Sequence, residues 1–449
     1  MNANHARYLT MAVPRYTSYP AVPHFSGDVD SWVYEGWLSR LDPSEPISLY
    51  LHVPFCRQLC WYCGCNMKLA SRDEPVAAYA HTLRREVSLL AAKLPARMKI
   101  SHLHWGGGTP TALTPDDLER TMETVRAHFD FTFDAEIAIE SDPRTLSDAM
   151  IARIGAIGFN RASFGVQEFD TKVQAAINRV QPPEMVARSV EGLRAAGVGS
   201  INFDLIYGLP HQTVESLIAT IGECARIRPD RIALFGYAHV PWMAKKQRLI
   251  PTEALPGAAE RLAQATSAAR ALKLLGYRAI GLDHFALKDD SLAIAADTGN
   301  LRRNFQGYTT DQARTLLGVG STSIGRTPQG FVQNMSETGA WARAIDAGTL
   351  PIAKGHAFTG EDCLRAHVIE QLMCSGEVDL PAAMALYSVA GSAFAEELEA
   401  LSAYERDGIV ALENGVVRVS EDARSLVRIV ASVFDAYYGK RIAQHSVAV

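Results

Sequence analysis

His52 to Asn66 read His-Val-Pro-Phe-Cys-Arg-Gln-Leu-Cys-Trp-Tyr-Cys-Gly-Cys-Asn, which places Cys56, Cys60, Cys63 and Cys65 within ten residues. Cysteines this dense are typical of a shared ligand, because thiolates are soft donors that suit zinc or an iron–sulfur cluster. Structural zinc sites usually pair two short cysteine knuckles from separate places, and no second knuckle follows in this sequence. Bacterial ferredoxins begin with Cys-x2-Cys, whereas the first gap here is three residues. We expect the rest of the chain to be organised around this loop.

The composition of the chain limits its class. With 449 residues, 48% hydrophobic, the chain is expected to fold into one large domain plus a smaller one. A formal net charge of −5 favours neither nucleic acid nor an anionic membrane surface as a partner. No leader-like segment opens the sequence and no run of about 18 apolar residues occurs, so we expect a soluble cytoplasmic protein without a membrane span. The seven cysteines do not form a disulfide framework, which fits a reducing compartment.

Strand and helix signals alternate along the middle of the chain. Short apolar runs predict six strands, each followed by a helix with apolar residues at three-or-four spacing. The predicted strands are Ile47–Val53, His102–Trp105, Glu136–Glu140, Arg161–Val166, Ile201–Tyr207 and Arg231–Tyr237. Such a series could form a doubly wound sheet or an open barrel.

The positions of the polar residues favour the barrel, since a barrel builds its site at the carboxyl ends of its strands. The residues at or just beyond successive strand ends are Cys56, Gly107, Glu140, Gln167 and Asp204. The predicted fold is therefore α/β, a partial, open TIM-like barrel of six βα units.

Three segments are expected along the chain. Residues 1–45 form an irregular N-terminal arm, residues 46–355 the barrel with a less regular extension after Tyr277, and residues 356–449 a mostly helical domain. This last segment resembles a winged helix, with a hairpin predicted at Asn414-Gly415. It carries 14 acidic against seven basic residues, which disfavours DNA binding. We expect it to cover the barrel.

A glycine motif, Gly106-Gly107-Gly108-Thr109-Pro110, follows the second predicted strand. Glycines there would let the backbone approach a ligand that a side chain would block. Together with the Cys-x3-Cys-x2-Cys spacing of Cys56, Cys60 and Cys63, this motif resembles the radical SAM superfamily. In that superfamily three thiolates hold a 4Fe-4S cluster and leave one iron open to chelate S-adenosylmethionine. Cys65 is either a spare thiol near such a cluster or a fourth ligand.

Further motifs make the chain similar, over nearly its whole length, to the family of oxygen-independent coproporphyrinogen III oxidases. The matching segments are residues 14–20 (Pro-Arg-Tyr-Thr-Ser-Tyr-Pro), Cys56–Asn66, His104–Pro110, Gly165–Gln167, Asn178-Arg179, Asp204–Pro210 and Asn304–Thr310. Their order and number carry the resemblance. The family fold is a partial barrel of six strand–helix units with an N-terminal arm and a C-terminal helical domain, in agreement with the pattern above.

The resemblance implies a 4Fe-4S cluster on Cys56, Cys60 and Cys63, with two S-adenosylmethionine molecules. The first molecule, bound to the cluster, would contact Tyr50, Gly107, Glu140 and Ile324. The second would contact Tyr62, Gly108, Thr109, Gln167, Arg179, Asp204 and Ala238. Phe305 and Gln306 match positions that the family needs for activity, and they complete a catalytic set with Tyr50, Glu140 and Ile324.

The residues themselves leave other interpretations open. Glu140 could be a surface carboxylate, and Gln167 with Arg179 could be a surface pair. Asp204 lies in an apolar strand and could be a buried carboxylate, which would need a partner because an unpaired buried charge costs several kcal/mol.

The resemblance also implies a reaction. An electron from a low-potential donor such as flavodoxin or ferredoxin would enter the cluster and cleave S-adenosylmethionine to methionine and a 5'-deoxyadenosyl radical. That radical would take a hydrogen from the carbon beta to the carboxylate on a propionate of coproporphyrinogen III. Loss of CO2 and one electron would then leave a vinyl group, and two such reactions would give protoporphyrinogen IX.

The remaining expectations concern the oligomeric state, the residues that bind the substrate and two alternative functions. The enzyme is expected to be a monomer, and the candidate cations for the four substrate carboxylates are Lys245, Lys246, Arg248, Arg302 and Arg303. One alternative is a haem-binding chaperone of the same superfamily without decarboxylase activity. Cys65 and the arm segment Arg15–Tyr19 favour the oxidase over this chaperone. A second alternative is a structural protein built on a zinc loop, which the residues at the strand ends disfavour.

Overall fold

The computed structural model describes residues 7–8 and 11–439. Its helices are α1 (Ser31–Leu38), α2 (Glu74–Ala91), α3 (Pro115–His128), α4 (Asp148–Ile157), α5 (Thr171–Ala176), α6 (Pro183–Ala195), α7 (Val214–Ile227), α8 (Ala258–Leu274), α9 (Ser291–Asp297), α10 (Thr338–Asp346), α11 (Asp362–Ser375), α12 (Leu380–Leu386), α13 (Ala395–Arg406) and α14 (Val427–Val433). Its strands are β1 (Ile47–Val53), β2 (Phe55–Cys56), β3 (Lys68–Leu69), β4 (Lys99–Gly107), β5 (Asp130–Ser141), β6 (Arg161–Gln167), β7 (Ser200–Tyr207), β8 (Arg231–Gly236), β9 (Tyr277–Ile280), β10 (His284–Leu287), β11 (Arg302–Asn304), β12 (Gly307–Thr309), β13 (Leu316–Val319), β14 (Ile324–Thr327), β15 (Gly330–Asn334), β16 (Ile352–Ala357), β17 (Glu377–Asp379), β18 (Val410–Glu413) and β19 (Val416–Val419).

Six parallel strands form the centre of the main sheet. β1, β4, β5, β6, β7 and β8 lie side by side in that order, and each pairs in parallel with the next. Leu49, Leu51 and Val53 alternate along β1 and are apolar and fully buried, so they share the face of the strand that lies in the main hydrophobic core. The six predicted βα units are confirmed, with β4 and β5 running longer at both ends than predicted.

Additional strands extend this sheet at both edges. On one side β13 pairs in parallel with β1 and is followed by the antiparallel strands β14, β15 and β16. On the other side β10 and β9 are added in antiparallel fashion to β8. The resulting sheet of twelve strands runs from β16 to β9 and is open. The region after Tyr277, which was expected to be irregular, supplies these edges; runs as short as the four residues of β13 or β14 leave little periodic signal.

The helices pack on the sheet through one apolar face each. In α2 the buried residues Val76, Leu83, Val87 and Leu90 recur at the helical period. Burying each of these side chains contributes roughly 1.5–3 kcal/mol relative to leaving it exposed. α3 begins at Pro115 because the side chain of Thr114 caps it by accepting a hydrogen bond from the backbone N–H of Asp117.

The C-terminal helices build a second hydrophobic core, which they share with the arm. α11 to α14 surround a three-stranded antiparallel sheet in the order β17-β19-β18, the elements expected of a winged helix. The arm adds four side chains to this core, Tyr8, Val13, Tyr16 and Tyr19. The hydroxyl of Tyr16 donates to Asp435 at 3.0 Å, and the backbone N–H of Ala436 donates to the hydroxyl of Tyr19 at 3.2 Å. Hydrogen bonds and apolar contacts therefore hold the arm against the C-terminal helices.

Within residues 7–8 and 11–439, no helix combines the length and the apolarity that a membrane crossing requires.

Candidate active site

The cysteine loop projects from the carboxyl end of β1. Its base is closed by the parallel pairing of β2 with β3, in which Lys68 N–H donates to Pro54 C=O at 2.6 Å and Ala70 N–H to Cys56 C=O at 2.9 Å. Within the loop Cys60 is buried, whereas Cys65 is exposed. The short β2–β3 pair thus anchors a loop whose thiols lie at different depths.

Hydrogen-bond donors and positive charges surround the three predicted cluster ligands. The hydroxyl of Thr109 donates to Cys56 Sγ at 3.4 Å, whereas Cys60 Sγ accepts from Arg144 Nη2 at 3.2 Å and from Arg179 Nη1 at 3.3 Å. A hydrogen bond from Cys65 lowers the pKa of Cys63 to about 6, while burial raises the pKa of Cys56 to about 11. Donors and cations of this kind stabilise thiolates, the form that binds iron.

The donor set fits an iron–sulfur cluster better than a single zinc ion. In the described part of the chain, no group of three or more His, Cys, Asp or Glu side chains is arranged to hold one metal ion. A cubane cluster takes each cysteine on a different iron, so its ligands need not converge on one point. Three soft thiols on one loop, with Arg144 and Arg179 to offset the negative charge, match that requirement.

The glycine motif packs against the cysteine loop. A Cβ on Gly107, whose φ is +114°, would lie 2.5 Å from the ring of His52, and a Cβ on Gly108 would lie 2.8 Å from the backbone of Phe55. From the sequence, these glycines were expected to let the backbone approach a ligand. The structure adds a reason within the protein, because only glycine lets β4 end this close to the last residues of β1 and the segment that follows them.

Glu140 lies at the end of β5 with two partners. Its Oε2 accepts from the backbone N–H of Gly107 at 3.1 Å, and its Oε1 lies 3.0 Å from Nε2 of His104. The Glu140 side chain keeps 39% of its surface exposed. It is therefore a positioned carboxylate that retains an open side, rather than a solvated surface group.

Tyr50 completes this side of the site. Its ring stacks on that of His104 at 5.9 Å, and its hydroxyl lies 2.9 Å from Nδ1 of His52. In the register of β1 with β13, Tyr50 lies opposite Gly318, whose Cα is so close to the carbonyl of Ile324 that a Cβ would sit 2.8 Å from it. The four residues expected to contact the first S-adenosylmethionine, Tyr50, Gly107, Glu140 and Ile324, are thus brought together by β1, β4, β5 and β14.

Gln167 and Arg179 are both buried, so the alternative of a surface pair is wrong. Arg179 Nε donates to the carbonyl of Gly165 at 3.0 Å, and its Nη1 and Nη2 each lie 3.4 Å from an oxygen of Asp142. Arg179 and Arg144 hold the pKa of Asp142 below its usual value even though burial opposes this. The guanidinium of Arg179, which was expected to contact the second S-adenosylmethionine, is therefore partly engaged by the protein.

Asp204 has the partners that its position in an apolar strand requires. Ser163 Oγ donates to its Oδ2 at 3.3 Å and Asn202 Nδ2 to its Oδ1 at 3.0 Å. Both partners are neutral, and burial, followed by the charge of Glu140, raises the pKa of Asp204 to about 6. A carboxylate held by neutral donors stays available to a cationic or hydroxyl ligand.

One buried side chain, Gln247, connects the other predicted contacts of the second S-adenosylmethionine. Its Nε2 donates to the carbonyls of Tyr62 at 2.8 Å and Ala238 at 3.1 Å, and its Oε1 accepts from Val240 N–H at 2.6 Å. The segment after β8 is thereby tied to the cysteine loop. Gln247 was not predicted from the sequence, because a lone glutamine in an irregular segment gives no signal.

Phe305 and Gln306 form the tight turn between β11 and β12. The ring of Phe305 meets that of Phe331 in β15 edge-on at 5.7 Å, and Gln306 is exposed at the tip. Their part in catalysis stays a prediction.

The cations predicted to bind the substrate carboxylates differ in their exposure and in their pairing with protein groups. Lys245 and Arg248 are exposed, Lys246 has its Nζ buried, and Arg302 is paired with Glu370 at 3.2 Å. Arg303 is partly buried, with its guanidinium over the ring of Tyr308 and hydrogen-bonded to backbone carbonyls.

Several residues of the site were not predicted from the sequence: His52, His104, Asp142, Arg144 and Thr322. Asp142 and Arg144 lie just beyond the end of β5, so the strand-end rule that found Glu140 would have reached them if it had been extended by a few residues. Thr322, whose Oγ1 lies 3.2 Å from His52 Nε2, comes from a distant turn and leaves no local signal.

The open parallel barrel, with three clustered thiols and a glycine turn at its carboxyl edge, defines the class of radical SAM proteins, and a sequence model described as the radical SAM superfamily matches residues 50–224. The chain is 49% identical to an oxygen-independent coproporphyrinogen III oxidase of Bradyrhizobium diazoefficiens over 97% of both chains. It is 46% identical to one of Cereibacter sphaeroides over 95% of this chain and 94% of the other. The solved coproporphyrinogen III oxidase of Escherichia coli, a radical SAM enzyme, superposes with a TM-score of 0.90 at 37% identity and covers 95% of this chain and 100% of that one. The chain belongs to the family of oxygen-independent coproporphyrinogen III oxidases.

Proposed function

We propose that this protein oxidatively decarboxylates two propionate side chains of coproporphyrinogen III to vinyl groups, giving protoporphyrinogen IX. The observation that carries the proposal is the extent of the structural match, which spans the arm, the barrel and the C-terminal helices at once. A match confined to the barrel would support the superfamily but not this reaction.

The cluster would be held by Cys56, Cys60 and Cys63. When bound, the cluster and S-adenosylmethionine would supply the one-electron chemistry that removes a hydrogen atom from a propionate. The protein residues would position these groups and shield them from solvent. Arg144 and Arg179 offset the negative charge of Cys60, and Glu140, oriented by His104 and Gly107 N–H, would accept hydrogen bonds from the amino or ribose groups of the first S-adenosylmethionine.

A second S-adenosylmethionine would lie on the side of Tyr62, Gly108, Thr109, Gln167, Arg179, Asp204 and Ala238. Support comes from the position of Asp204, a carboxylate with neutral partners at the end of β7, and from the guanidinium of Arg179 beside Gly165. Gly165, whose carbonyl binds Arg179, lies opposite Asp204 in the pairing of β6 with β7, so one adenosine-sized ligand could reach both side chains.

The electron donor would be a low-potential carrier such as flavodoxin or ferredoxin, and the enzyme would act as a cytoplasmic monomer. A one-electron supply is required because S-adenosylmethionine is cleaved reductively in this class of enzyme.

The decisive experiment is turnover. Reconstituted protein, given a low-potential reductant, S-adenosylmethionine and coproporphyrinogen III without oxygen, should release CO2 and form protoporphyrinogen IX. A cytosolic extract is included to accept the final electrons. Tyr50→Ala and Gln306→Ala should keep the fold and lose turnover, while Arg278→Gln, at an exposed ion pair with Asp297, serves as control. Stoichiometric haem binding without decarboxylation would instead support the chaperone.

A further inference from the structure

Arginine side chains from four separate parts of the chain share one electrostatic environment beside the carboxyl ends of β7 and β8. After burial, the charges that most affect the pKa of Tyr207 come from Arg261, Arg428, Asp283 and Arg15. Arg303 donates to the backbone carbonyl of Arg15 and lies over the ring of Tyr308, whose hydroxyl accepts from the backbone N–H of Leu282, next to Asp283. The arm, β11, α8 and α14 thus each contribute one guanidinium to this region, which we call the arginine cluster: Arg15, Arg303, Arg261 and Arg428.

Arg303 has bonding capacity that the protein does not use. Its guanidinium lies over the ring of Tyr308 at 4.4 Å, and it donates to the backbone carbonyls of Tyr16 at 3.2 Å and Arg15 at 3.3 Å. Its Nη1 is buried without a hydrogen-bond partner among the described residues. A buried, charged N–H group without an acceptor is unfavourable, and an anionic ligand would supply the missing acceptor.

Arg261 is held at the strand ends without a counter-ion. Its Nη1 lies 2.5 Å from where a Cβ on Gly208 would be, and its Nη2 lies 3.2 Å from that of Gly236. Its guanidinium faces the ring of Tyr207 at 5.7 Å, and no ion pair or hydrogen bond of its side chain exists within residues 7–8 and 11–439. Burial accordingly lowers the pKa of Arg261.

Other buried arginines of this protein behave differently. Arg231 pairs with Asp290 at 2.6 Å and Arg144 with Asp142 at 2.6 Å. In the arginine cluster the neighbouring carboxylate is Asp283, which is already engaged with His284 Nδ1 at 2.7 Å. Neither the Arg261 side chain nor Nη1 of Arg303 has such a partner among the described residues, whereas the structural arginines are compensated.

The arginine cluster lies at the same end of the barrel as the candidate active site. The ring of His284, next to Asp283, packs against Phe235 at 5.7 Å and Tyr308 at 5.1 Å. His284 is also close enough to Asp204 to oppose the burial that raises the pKa of Asp204. A ligand held by the cluster would therefore reach toward the residues proposed to bind S-adenosylmethionine.

We propose that the arginine cluster binds the propionate carboxylates of the tetracarboxylate substrate. This inference rests on the proposed function and names the recognition residues that the sequence did not. Arg303 was among the predicted cations, whereas Arg15, Arg261 and Arg428 replace the others. Guanidinium forks match carboxylates bidentately, so several of them select a porphyrinogen by its number of acid groups.

Equilibrium binding of coproporphyrin III, the oxidised and unreactive tetracarboxylate analogue, tests this proposal without turnover. Arg261→Gln and Arg303→Gln should each weaken binding at least about tenfold, and Arg278→Gln should leave it unchanged. The tetramethyl ester of coproporphyrin III should bind weakly to all variants alike. Iron content after reconstitution and the circular dichroism spectrum monitor the fold of each variant.

Two results would overturn the arginine cluster as the carboxylate site. One is unchanged affinity for the tetraacid in both folded variants. The other result is an equal loss of binding of the tetraacid and of the ester, which would mean that the arginines support the fold and do not recognise the carboxylate charge. A turnover assay separates this proposal from the proposed function. If Arg261→Gln and Arg303→Gln decarboxylate the substrate with an unaltered KM, the proposed reaction is supported and the arginine cluster is excluded as the carboxylate site.

Discussion

Among single residues, the arginines that contact the Cys60 thiol connect the parts of the candidate site. Arg144 and Arg179 both donate to Cys60, and both also contact Asp142, so the loop, β5 and the segment after α5 are joined at one point. The same two arginines are buried, so their charges act at short range and low dielectric. The geometry implies that Cys60 is the most strongly supported of the four thiols.

Iron content should separate the ligands from the spare thiol. Wild-type protein reconstituted without oxygen is expected to hold about four irons per chain, as a cubane cluster requires. Cys56→Ala, Cys60→Ala and Cys63→Ala should each lose the iron and the broad visible absorption. Cys65→Ala should retain both because Cys65 is exposed at the rim of the loop. A Cys65→Ala protein without iron would make Cys65 a ligand, and a wild-type protein with one zinc and no iron would exclude the cluster.

Arg179 should matter for the second S-adenosylmethionine. We expect two equivalents bound per chain in reconstituted wild-type protein and one in Arg179→Ala, since that variant removes the guanidinium beside Gly165. Equilibrium dialysis with labelled S-adenosylmethionine measures the number. Arg153→Ala, at a partly exposed ion pair with Asp116 and Glu119, is the control. Two equivalents in an iron-replete Arg179→Ala protein would remove Arg179 from this site.

At the scale of elements, α2 braces the strands that carry the active-site turn. The carboxylate of Glu86, buried on α2, accepts from Gly320 N–H at 2.7 Å, from Asn334 Nδ2 at 2.6 Å and from Trp341 Nε1 at 2.8 Å. Gly320 begins the turn that brings Thr322 to His52. One helix thereby holds β13, β15 and α10 in place around that turn.

This brace should be sensitive to pH. Burial raises the pKa of Glu86 to about 7. Because the folded pKa lies above that of the unfolded chain, its contribution to stability is complete below about pH 4.5 and is lost as the pH rises through about 7. The loss corresponds to about 3 kcal/mol. Urea unfolding at pH 5 and pH 8 should show a smaller pH difference in Glu86→Gln than in wild type, and equal differences would contradict the assignment.

At the scale of the whole molecule, the two ends of the chain are packed together. The arm contributes aromatic side chains to the core of the C-terminal helices, and Arg303 links the arm to β11 through the carbonyls of Arg15 and Tyr16. The arginine cluster is therefore assembled only when the arm, the barrel and the C-terminal helices are all in place.

Removing an arm anchor should loosen the C-terminal helices while sparing the barrel. Tyr16→Ala deletes a buried ring and its hydrogen bond to Asp435, at a cost of roughly 3 kcal/mol for the C-terminal core. Hydrogen exchange should quicken in α11 and α14 and stay unchanged in β1 and β4. Tyr16→Phe keeps the ring and should lose far less protection. Uniformly faster exchange in both regions would show that the arm stabilises the protein as one cooperative unit.

The sequence by itself determined the class of chemistry and the central sheet of this protein. The cysteine spacing lies within ten residues, and each βα unit repeats a local period, so both can be read without knowing any long-range contact. The tertiary structure alone decided the rest: the edge strands β9, β10 and β13 to β16, the arginines around Cys60, and the arginine cluster. Arg144 and Arg179 lie 84 and 119 positions from Cys60, and Tyr16 lies 419 positions from Asp435. Partners so far apart leave no periodic trace in the chain, because only the closing of the sheet and the return of the C-terminal helices bring them together.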